Sequence, residues 1–215
     1  MAIRNFYPIF IDVSGFNVLV VGGGKIGSKR ALSFKKYGAN VTVFSLDFSQ
    51  ELKDSHINMI QGDASLIDDN LISRYDIILT CTNNPDLNKK ICEKSKKLRK
   101  LCNNPTNPED SNFIVPIFYS DENFEIAITS RGKSSILSKE ILSKITSIVN
   151  NSSLQNLLNS MYNVKILLKR KIQDPSVRYL LYHRIYNDET FKEYATKGDL
   201  NKALDRAEEI IHEYR

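Results

Sequence analysis

The chain has 215 residues, a formal net charge of +5, 41% hydrophobic residues and 26% charged residues. These values are typical of a folded globular protein, and the length allows one large domain or a compact domain plus a smaller one. No apolar run reaches about 18 residues and residues 1–6 lack the apolar core of a secretory signal, so we expect a cytoplasmic protein without a membrane span.

Strand and helix patterns alternate over the first half of the chain. Residues 17–21 form a short, β-branched apolar run typical of a strand buried on both faces. A helix is predicted over residues 25–37, with Gly38 as its C-terminal stop. Further strands are predicted at 41–44, 57–60, 75–80 and around Leu101, and further helices at 66–73 and 85–97. This alternation predicts a doubly wound parallel α/β sheet of the Rossmann type.

The pattern changes after about residue 112. Two β-rich runs, 113–119 and 124–129, flank a polar stretch and predict an antiparallel hairpin. A helix from Ser134 has an apolar face and ends at residues 150–153; the face consists of Ile136, Leu137, Ile141, Leu142 and Ile145. The remainder is predicted to be helical, with breaks near 175, 187–188 and 197–199. We therefore divide the chain into a Rossmann domain (1–112), a hairpin-plus-helix segment (113–150) and a helical C-terminal domain (151–215).

The cysteines and the basic residues suggest no further site. Cys81, Cys92 and Cys102 are too few and too evenly spread for a disulfide framework, so we interpret all three as small apolar residues in a reducing compartment. The histidines lie far apart, and no metal site is predicted. The densest basic run, 89–100, has its apolar residues at helical spacing and is interpreted as a solvated helix face. Aromatic residues do not interleave with it, so we predict no nucleic-acid partner.

A glycine-rich turn carries the main functional signal. Residues 22–27, Gly-Gly-Gly-Lys-Ile-Gly, match GxGxxG directly after the first predicted strand and at the start of the first predicted helix. Gly22 permits the tight turn, Gly24 lets the backbone approach a pyrophosphate, and Gly27 lets the helix pack closely on the sheet. The N–H groups at the helix start, including those of Lys25 and Ile26, favour phosphates. The motif predicts NAD or NADP as cofactor, with a purely structural turn as the alternative.

Two strand ends complete the predicted cofactor site. Ser45 occupies the approximate place of the acidic residue that binds a ribose 2′-hydroxyl, and Asp47 lies two residues further on. No basic residue that would bind a 2′-phosphate is near, so we predict NAD. Thr82 and Asn83 follow the fourth predicted strand, where polar side chains would face the ribose or nicotinamide. An ordinary turn without a ligand is the alternative there.

Several segments in a fixed order resemble the precorrin-2 dehydrogenases, including the dehydrogenase and ferrochelatase module of siroheme synthases. The resemblance covers roughly residues 7–145, in these segments: 7–10 (YPIF), 18–24 (VLVVGGG), 29–31 (KRA), 39–43 (ANVTV), 82–88 (TNNPDLN), 102–103 (CN), 113–116 (FIVP) and 126–134 (IAITSRGKS). It implies NAD-dependent oxidation of precorrin-2 to sirohydrochlorin, with Fe²⁺ insertion in some members. It also implies a homodimer whose interface includes the segment after the Rossmann domain.

The resemblance also implies substrate and catalytic residues. Arg131 and Lys133 lie in the loop that resembles the family's Ser-Gly-Gly segment and would bind carboxylates of this polyanionic substrate, as Ser130 would by hydrogen bonding. An exposed turn and helix capping are the alternatives. Thr106 stands where the family usually has an aspartate, and an alcohol is a poor general base. Asp110, Glu109, water or His183 are the other candidate proton acceptors.

The alternative function is a non-enzymatic, NAD(H)-sensing regulatory domain. Such a sensor would need neither the second hairpin nor a cleft for a polyanion. An unrelated NAD(P) oxidoreductase is the third possibility. The sequence favours the dehydrogenase.

Overall fold

The computed structural model describes residues 6–214, and the chain separates after Val115 into two compact units. Each unit has its own apolar core. In the described part of the chain, no helix combines the length and the apolar character needed to cross a membrane.

A five-stranded parallel sheet forms the centre of the first unit. Its strands are β1 (Asn17–Gly23), β2 (Asn40–Phe48), β3 (Asn58–Gln61), β4 (Ile77–Thr80) and β5 (Leu101–Asn103), and their order in the sheet is β3-β2-β1-β4-β5. Each pair of neighbouring strands is parallel. The predicted doubly wound parallel sheet is confirmed.

Helices cover both faces of this sheet because side chains alternate between the faces along each strand. In β1, Val18 and Val20 belong to one buried cluster, and Leu19 and Val21 belong to the other. The helices are α1 (Lys25–Lys36), α2 (Gln50–Lys53), α3 (Asp69–Ser73) and α4 (Pro85–Lys97). The short α2 was not predicted, and the stretch predicted at 66–73 consists of a 3-10 turn, Ala64–Leu66, followed by α3.

A disulfide between Cys92 and Cys102 corrects the interpretation of the cysteines. Cys92 lies on the buried face of α4, Cys102 lies in β5, and their Cα atoms are 5.5 Å apart. Both residues are fully buried in the same apolar cluster. The prediction of three unpaired cysteines was wrong for this pair because the return of the chain from α4 into β5 brings the two side chains together. It was right for Cys81, which is free.

The second unit combines a hairpin with a group of helices. The hairpin pairs β6 (Ile117–Ser120) with β7 (Glu125–Ile128) in antiparallel register and packs against α5 (Ser135–Val149). The helices that follow are α6 (Ser152–Lys171), α7 (Pro175–Asn187), α8 (Glu189–Lys197) and α9 (Leu200–Glu213). Their breaks fall where Pro175, Asp188 and Gly198 predicted them. The domain boundaries at 112 and 150 stay a prediction.

Two details of this region differ from expectation. The first hairpin strand was predicted to begin at residue 113, but Phe113 and Val115 pack against a core cluster of the first unit, and the Phe113 carbonyl accepts a hydrogen bond from Asn103. The predicted apolar face of α5 is also only partly buried. Leu142 is buried, whereas Leu137 and Ile141 are 52% and 41% exposed.

Candidate functional site

The glycine turn between β1 and α1 is packed so tightly that two of its glycines admit no side chain. Gly22 has φ +112°, and a Cβ there would lie 2.6 Å from the carbonyl oxygen of Cys81. A Cβ on Gly27 would overlap the carbonyl oxygen of Gly22. Gly27 therefore lets the first turn of α1 pack against the loop, as the sequence predicted for close helix packing.

Gly24 is different because a Cβ at this position would meet no atom within 4 Å. It is the N-cap residue of α1, and no side chain caps this helix start. By contrast, side chains cap all the longer helices from α4 to α9. The first-turn N–H groups of α1 thus face open space next to a residue without a side chain. This combination of free donors and helix dipole suits a phosphate group.

A groove of about 670 Å³ opens at this turn, along the carboxyl edge of the sheet. Five predicted cofactor residues line it: Gly22, Gly24, Ser45, Thr82 and Asn83. Lys25, Ile26 and Gly27 lie in the first turn of α1 and are not among the lining side chains.

Ser45 supports the turn directly. Its Oγ accepts a hydrogen bond from the Gly23 N–H at 2.9 Å. The sequence did not predict a second support, in which the hydroxyls of Ser28 and Ser49 lie 2.7 Å apart and Ser28 donates to the Gly24 carbonyl at 2.9 Å. The hydroxyls of Ser45 and Ser28 therefore hold the loop, Ser49 supports Ser28, and the Ser45 hydroxyl still has a proton to donate.

A buried amide fixes the loop after β4. The Asn88 side chain is fully buried; its Oδ1 accepts from the hydroxyl and the N–H of Thr82 at 2.6 and 3.2 Å, and its Nδ2 donates to the Thr82 carbonyl at 3.0 Å. Sequence reasoning assigned no role to Asn88. The available signal was its position at the end of the segment 82–88. Asn83, by contrast, is exposed at the tip of this loop.

The charge in the groove is negative at the β2 end. Asp47 and Asp63 line it, and no lysine or arginine does. Hydrogen bonds from Ser65 hold the pKa of Asp63 below its usual value, so this carboxylate is ionised near neutral pH. Two carboxylates in the groove suit a ribose hydroxyl and repel a 2′-phosphate.

The thiol in the groove is not a nucleophile. Burial raises the pKa of Cys81 to about 11, although the nearby Arg30 guanidinium acts in the opposite direction. The thiol is therefore protonated near neutral pH. Burial also lowers the pKa of Arg30, a half-buried residue of α1 that sequence reasoning gave no role.

Two of the candidate proton acceptors, Thr106 and Asp110, lie in the loop after β5 and differ in their exposure. Thr106 is exposed, whereas Asp110 is 8% exposed and its Oδ2 accepts from Asn104 Nδ2 at 2.9 Å. Asn104 Oδ1 in turn accepts from the N–H groups of Thr106 and Asn107. Asp110 thus takes part in the hydrogen bonds that shape the loop, and Glu109 is exposed beside it.

The loop before α5 uses its hydroxyls internally. Ser130 Oγ accepts from the Ser134 N–H at 2.9 Å and donates to the Ser134 carbonyl at 3.0 Å, while Ser134 Oγ caps α5 through the Leu137 N–H. Arg131 and Lys133 are exposed and form no ion pair within the described residues. The loop therefore presents two free cations on a backbone held by serine hydroxyls.

Arg131 lies in a backbone conformation that favours glycine. Its φ is +55°, and Gly132 follows with φ +82°. We expect Arg131→Gly to raise the free energy of unfolding by about 1 kcal/mol, because a residue with a Cβ pays about that much in the left-handed region. Urea denaturation measures the change. Arg131→Ala retains the Cβ and should give no gain, and an equal gain in both variants would refute this explanation.

His183 lies on α7 in the second unit, where it is exposed. Its ring packs edge-to-face on Tyr179 with centroids 4.5 Å apart, and the Tyr182 ring lies 6.3 Å away. In this structure the ring of His183, one of the candidate proton acceptors, takes part in aromatic packing on α7. Within residues 6–214, no cluster of histidine, cysteine or acidic side chains could hold a metal ion.

Comparisons with known proteins agree with the geometry of the groove. A family model described as "Putative NAD(P)-binding" matches residues 9–117. The "Putative precorrin-2 dehydrogenase" of Methanocaldococcus jannaschii is 28% identical and covers 95% of this chain and 99% of its own length. The "Precorrin-2 dehydrogenase" of Methanosarcina barkeri is 25% identical over 98% of this chain and 96% of its own. The solved structure of "SirC, precorrin-2 dehydrogenase" has the same fold, with a TM-score of 0.70, 24% identity and coverage of 95% of this chain and all of its own.

Proposed function

We propose that this chain, which belongs to the family described as "Putative NAD(P)-binding", is a precorrin-2 dehydrogenase that oxidises precorrin-2 to sirohydrochlorin with NAD as hydride acceptor. The observation that carries the proposal is the groove at the glycine turn, in a chain that matches the dehydrogenases of Methanocaldococcus jannaschii and Methanosarcina barkeri over almost their whole length. Oxidation removes a hydride, which NAD accepts, and a proton. The residues of this chain position the reactants.

The cofactor is held chiefly by the backbone. The N–H groups at the start of α1 bind the pyrophosphate beside Gly24, where no side chain intervenes. Asp47 binds the hydroxyls of the adenosine ribose. Thr82 and Asn83 contact the other half of the dinucleotide, and Asn88 fixes the loop that carries them.

Asp47 is the residue we expect to select NAD over NADP. Removing one of the two groove carboxylates in Asp47→Asn should raise the ratio of NADP affinity to NAD affinity about tenfold, the effect of roughly one near-surface charge pair. Calorimetric titration with both dinucleotides measures the ratio. Asp205→Asn removes an exposed carboxylate from α9 and is the matched control. An unchanged ratio in Asp47→Asn would exclude Asp47 as the selector.

The substrate is a polycarboxylate, and we assign its recognition to the loop before α5. Arg131 and Lys133 bind substrate carboxylates because they are exposed and have no acidic partner among the described residues. Ser130 shapes the loop through its bonds to Ser134 and places the two cations.

We assign the proton acceptor to water beside Thr106. The hydroxyl of Thr106 is exposed and can orient water, but it is too weak a base to hold the proton. Asp110 is the alternative, and its bond to Asn104 must break before it can reach a substrate. His183 is the third candidate. Asp110→Asn and His183→Gln should leave the turnover within about threefold of the unmodified protein if water accepts the proton.

We propose a homodimer in which the exposed side of α5 forms part of the interface. Leu137, Ile141 and Ile148 recur at helical spacing and are 52%, 41% and 63% exposed. Sedimentation measures the mass. Ile141→Glu should shift the protein towards the monomer, whereas Lys139→Glu changes charge on the same helix and should not.

The decisive test is an assay with precorrin-2 and NAD. We expect NADH absorbance to rise together with the sirohydrochlorin spectrum, and Gly24→Leu to abolish both signals. Calorimetric NAD binding without turnover would instead favour a sensing domain.

Addition of Fe²⁺ to sirohydrochlorin then tests metal insertion as a second reaction. Thr106 in place of the family's aspartate leads us to expect no insertion, and Thr106→Asp is the matched variant.

A further inference from the structure

A small cavity of about 260 Å³ opens in the second unit between α6 and α7. Its most buried lining residue is Leu168, which is 2% exposed, and two aromatic residues, Tyr179 and Tyr182, also line it. The remaining lining residues are all cationic: Lys165, Lys169 and Arg178. The cavity thus joins an apolar base to a positively charged rim.

The cations at this rim have no acidic partner. No aspartate or glutamate lines the cavity, and none of the three cations forms an ion pair within residues 6–214. Elsewhere in the same unit cations are paired, as in Lys171–Glu208 at 2.8 Å and Arg184–Glu213 at 3.0 Å. Positive charge is therefore concentrated at the cavity without internal compensation.

Arg178 is held in place before any ligand binds. Its Nη1 donates to the carbonyls of Ile172 and Gln173, both at 2.9 Å, where α6 ends. Its Nε and Nη2 form no hydrogen bond within residues 6–214 and can donate to a ligand. Lys165 and Lys169 are four residues apart on α6 and so lie on the same face. A fixed guanidinium and two adjacent ammonium groups can bind two or more anionic groups together.

The two tyrosine rings and the size of the cavity favour a ligand with a single flat ring. Tyr179 is 69% exposed, and its ring packs edge-to-face on His183, which leaves a flat surface for stacking. A volume of about 260 Å³ is at the lower end of small-molecule sites. It suits a single ring and is too small to enclose a tetrapyrrole macrocycle. The cavity shares no lining residue with the groove at the glycine turn, so the proposal below concerns a second site.

We propose that the cavity between α6 and α7 binds a small, multiply charged anion carried on a single flat ring. The ring stacks on Tyr179 and Tyr182 above Leu168, and the anionic groups bind Lys165, Lys169 and Arg178. Carboxylates and phosphates share this chemistry, and the test distinguishes them.

The substitution Tyr179→Trp provides a local fluorescence reporter because the chain contains no tryptophan of its own. Tyr179→Trp retains a flat ring at an exposed position. The full-length variant is titrated with trimesate, which carries carboxylates, and separately with phenyl phosphate, while tryptophan fluorescence is followed. We expect a saturable change with at least one probe. Saturation by trimesate alone identifies carboxylates, and saturation by phenyl phosphate alone identifies phosphates.

Charge removal decides whether the response comes from the cavity. In the Tyr179→Trp background, Lys169→Gln should raise the probe concentration at half-saturation about tenfold. This is the effect of losing one charge-assisted hydrogen bond. Arg170→Gln removes the neighbouring charge on α6, outside the lining, and should leave the midpoint unchanged. Absence of saturation with both probes, or equal weakening by the two substitutions, would overturn the proposal. Circular dichroism and NAD binding verify that each variant is folded.

Discussion

Replacing Gly24 by leucine is expected to lower the affinity for NAD at least about 100-fold, or roughly 2.7 kcal/mol, without unfolding the protein. A Cβ at Gly24 meets no protein atom, so the leucine side chain extends into the open space beside the free N–H groups of α1. It would occupy the position of the pyrophosphate. Calorimetric titration with NAD measures the loss.

Gly24→Ala is the matched control, because its single methyl group should cost less affinity than leucine. Urea denaturation of both variants should give free energies of unfolding close to that of the unmodified protein, since φ at Gly24 is −77° and imposes no strain on a residue with a side chain. Binding by Gly24→Leu within about threefold of normal would contradict the placement of the pyrophosphate.

Reduction of the Cys92–Cys102 disulfide is expected to lower the free energy of unfolding by about 2.7 kcal/mol. The two cysteines are ten residues apart, and closing a loop of that length in the unfolded chain accounts for about this amount. Urea denaturation with and without a thiol reductant measures the difference. In the reductant, the urea concentration at the unfolding midpoint should fall, while the circular dichroism spectrum without urea stays that of the folded protein.

The control for this prediction is Cys92→Ala, whose stability should not respond to the reductant. Cys81→Ala should keep the full response, since Cys81 is free and takes no part in the bond. Equal stability of the unmodified protein under both conditions would show that the bond contributes nothing. Comparison of Cys92→Ala with the reduced unmodified protein then separates the covalent link from the packing of the Cys92 sulfur atom.

Some residues of the cofactor groove could be predicted from the sequence, and others could not. Gly22, Gly24 and Gly27 were predictable because the spacing of a glycine turn between a strand and a helix is a local pattern. The hydrogen bond from Gly23 to Ser45 was not, because it joins residues 22 positions apart. The role of Asn88 was not predictable for a related reason, because its burial beneath the loop depends on how α4 packs against the sheet.

The second unit shows a similar division. The caps and breaks of its helices follow from residues such as Asp174, Asp188 and Gly198, whose preferences act within one turn. The exposure of Leu137 and Ile141 on α5 depends instead on which side of the helix meets the hairpin. An apolar helix face predicts burial, but the pattern does not say whether this chain or another covers it.

The sequence by itself determined the alternation of strands and helices, the glycine turn and the family, because each depends on residue types at short, fixed spacings. Only the tertiary structure decided that Cys92 meets Cys102, that Asp47 and Asp63 share one groove, and that Lys165, Lys169 and Arg178 surround one cavity. These arrangements join different elements of the fold. Their distances depend on how helices and strands pack, which no short stretch of sequence specifies.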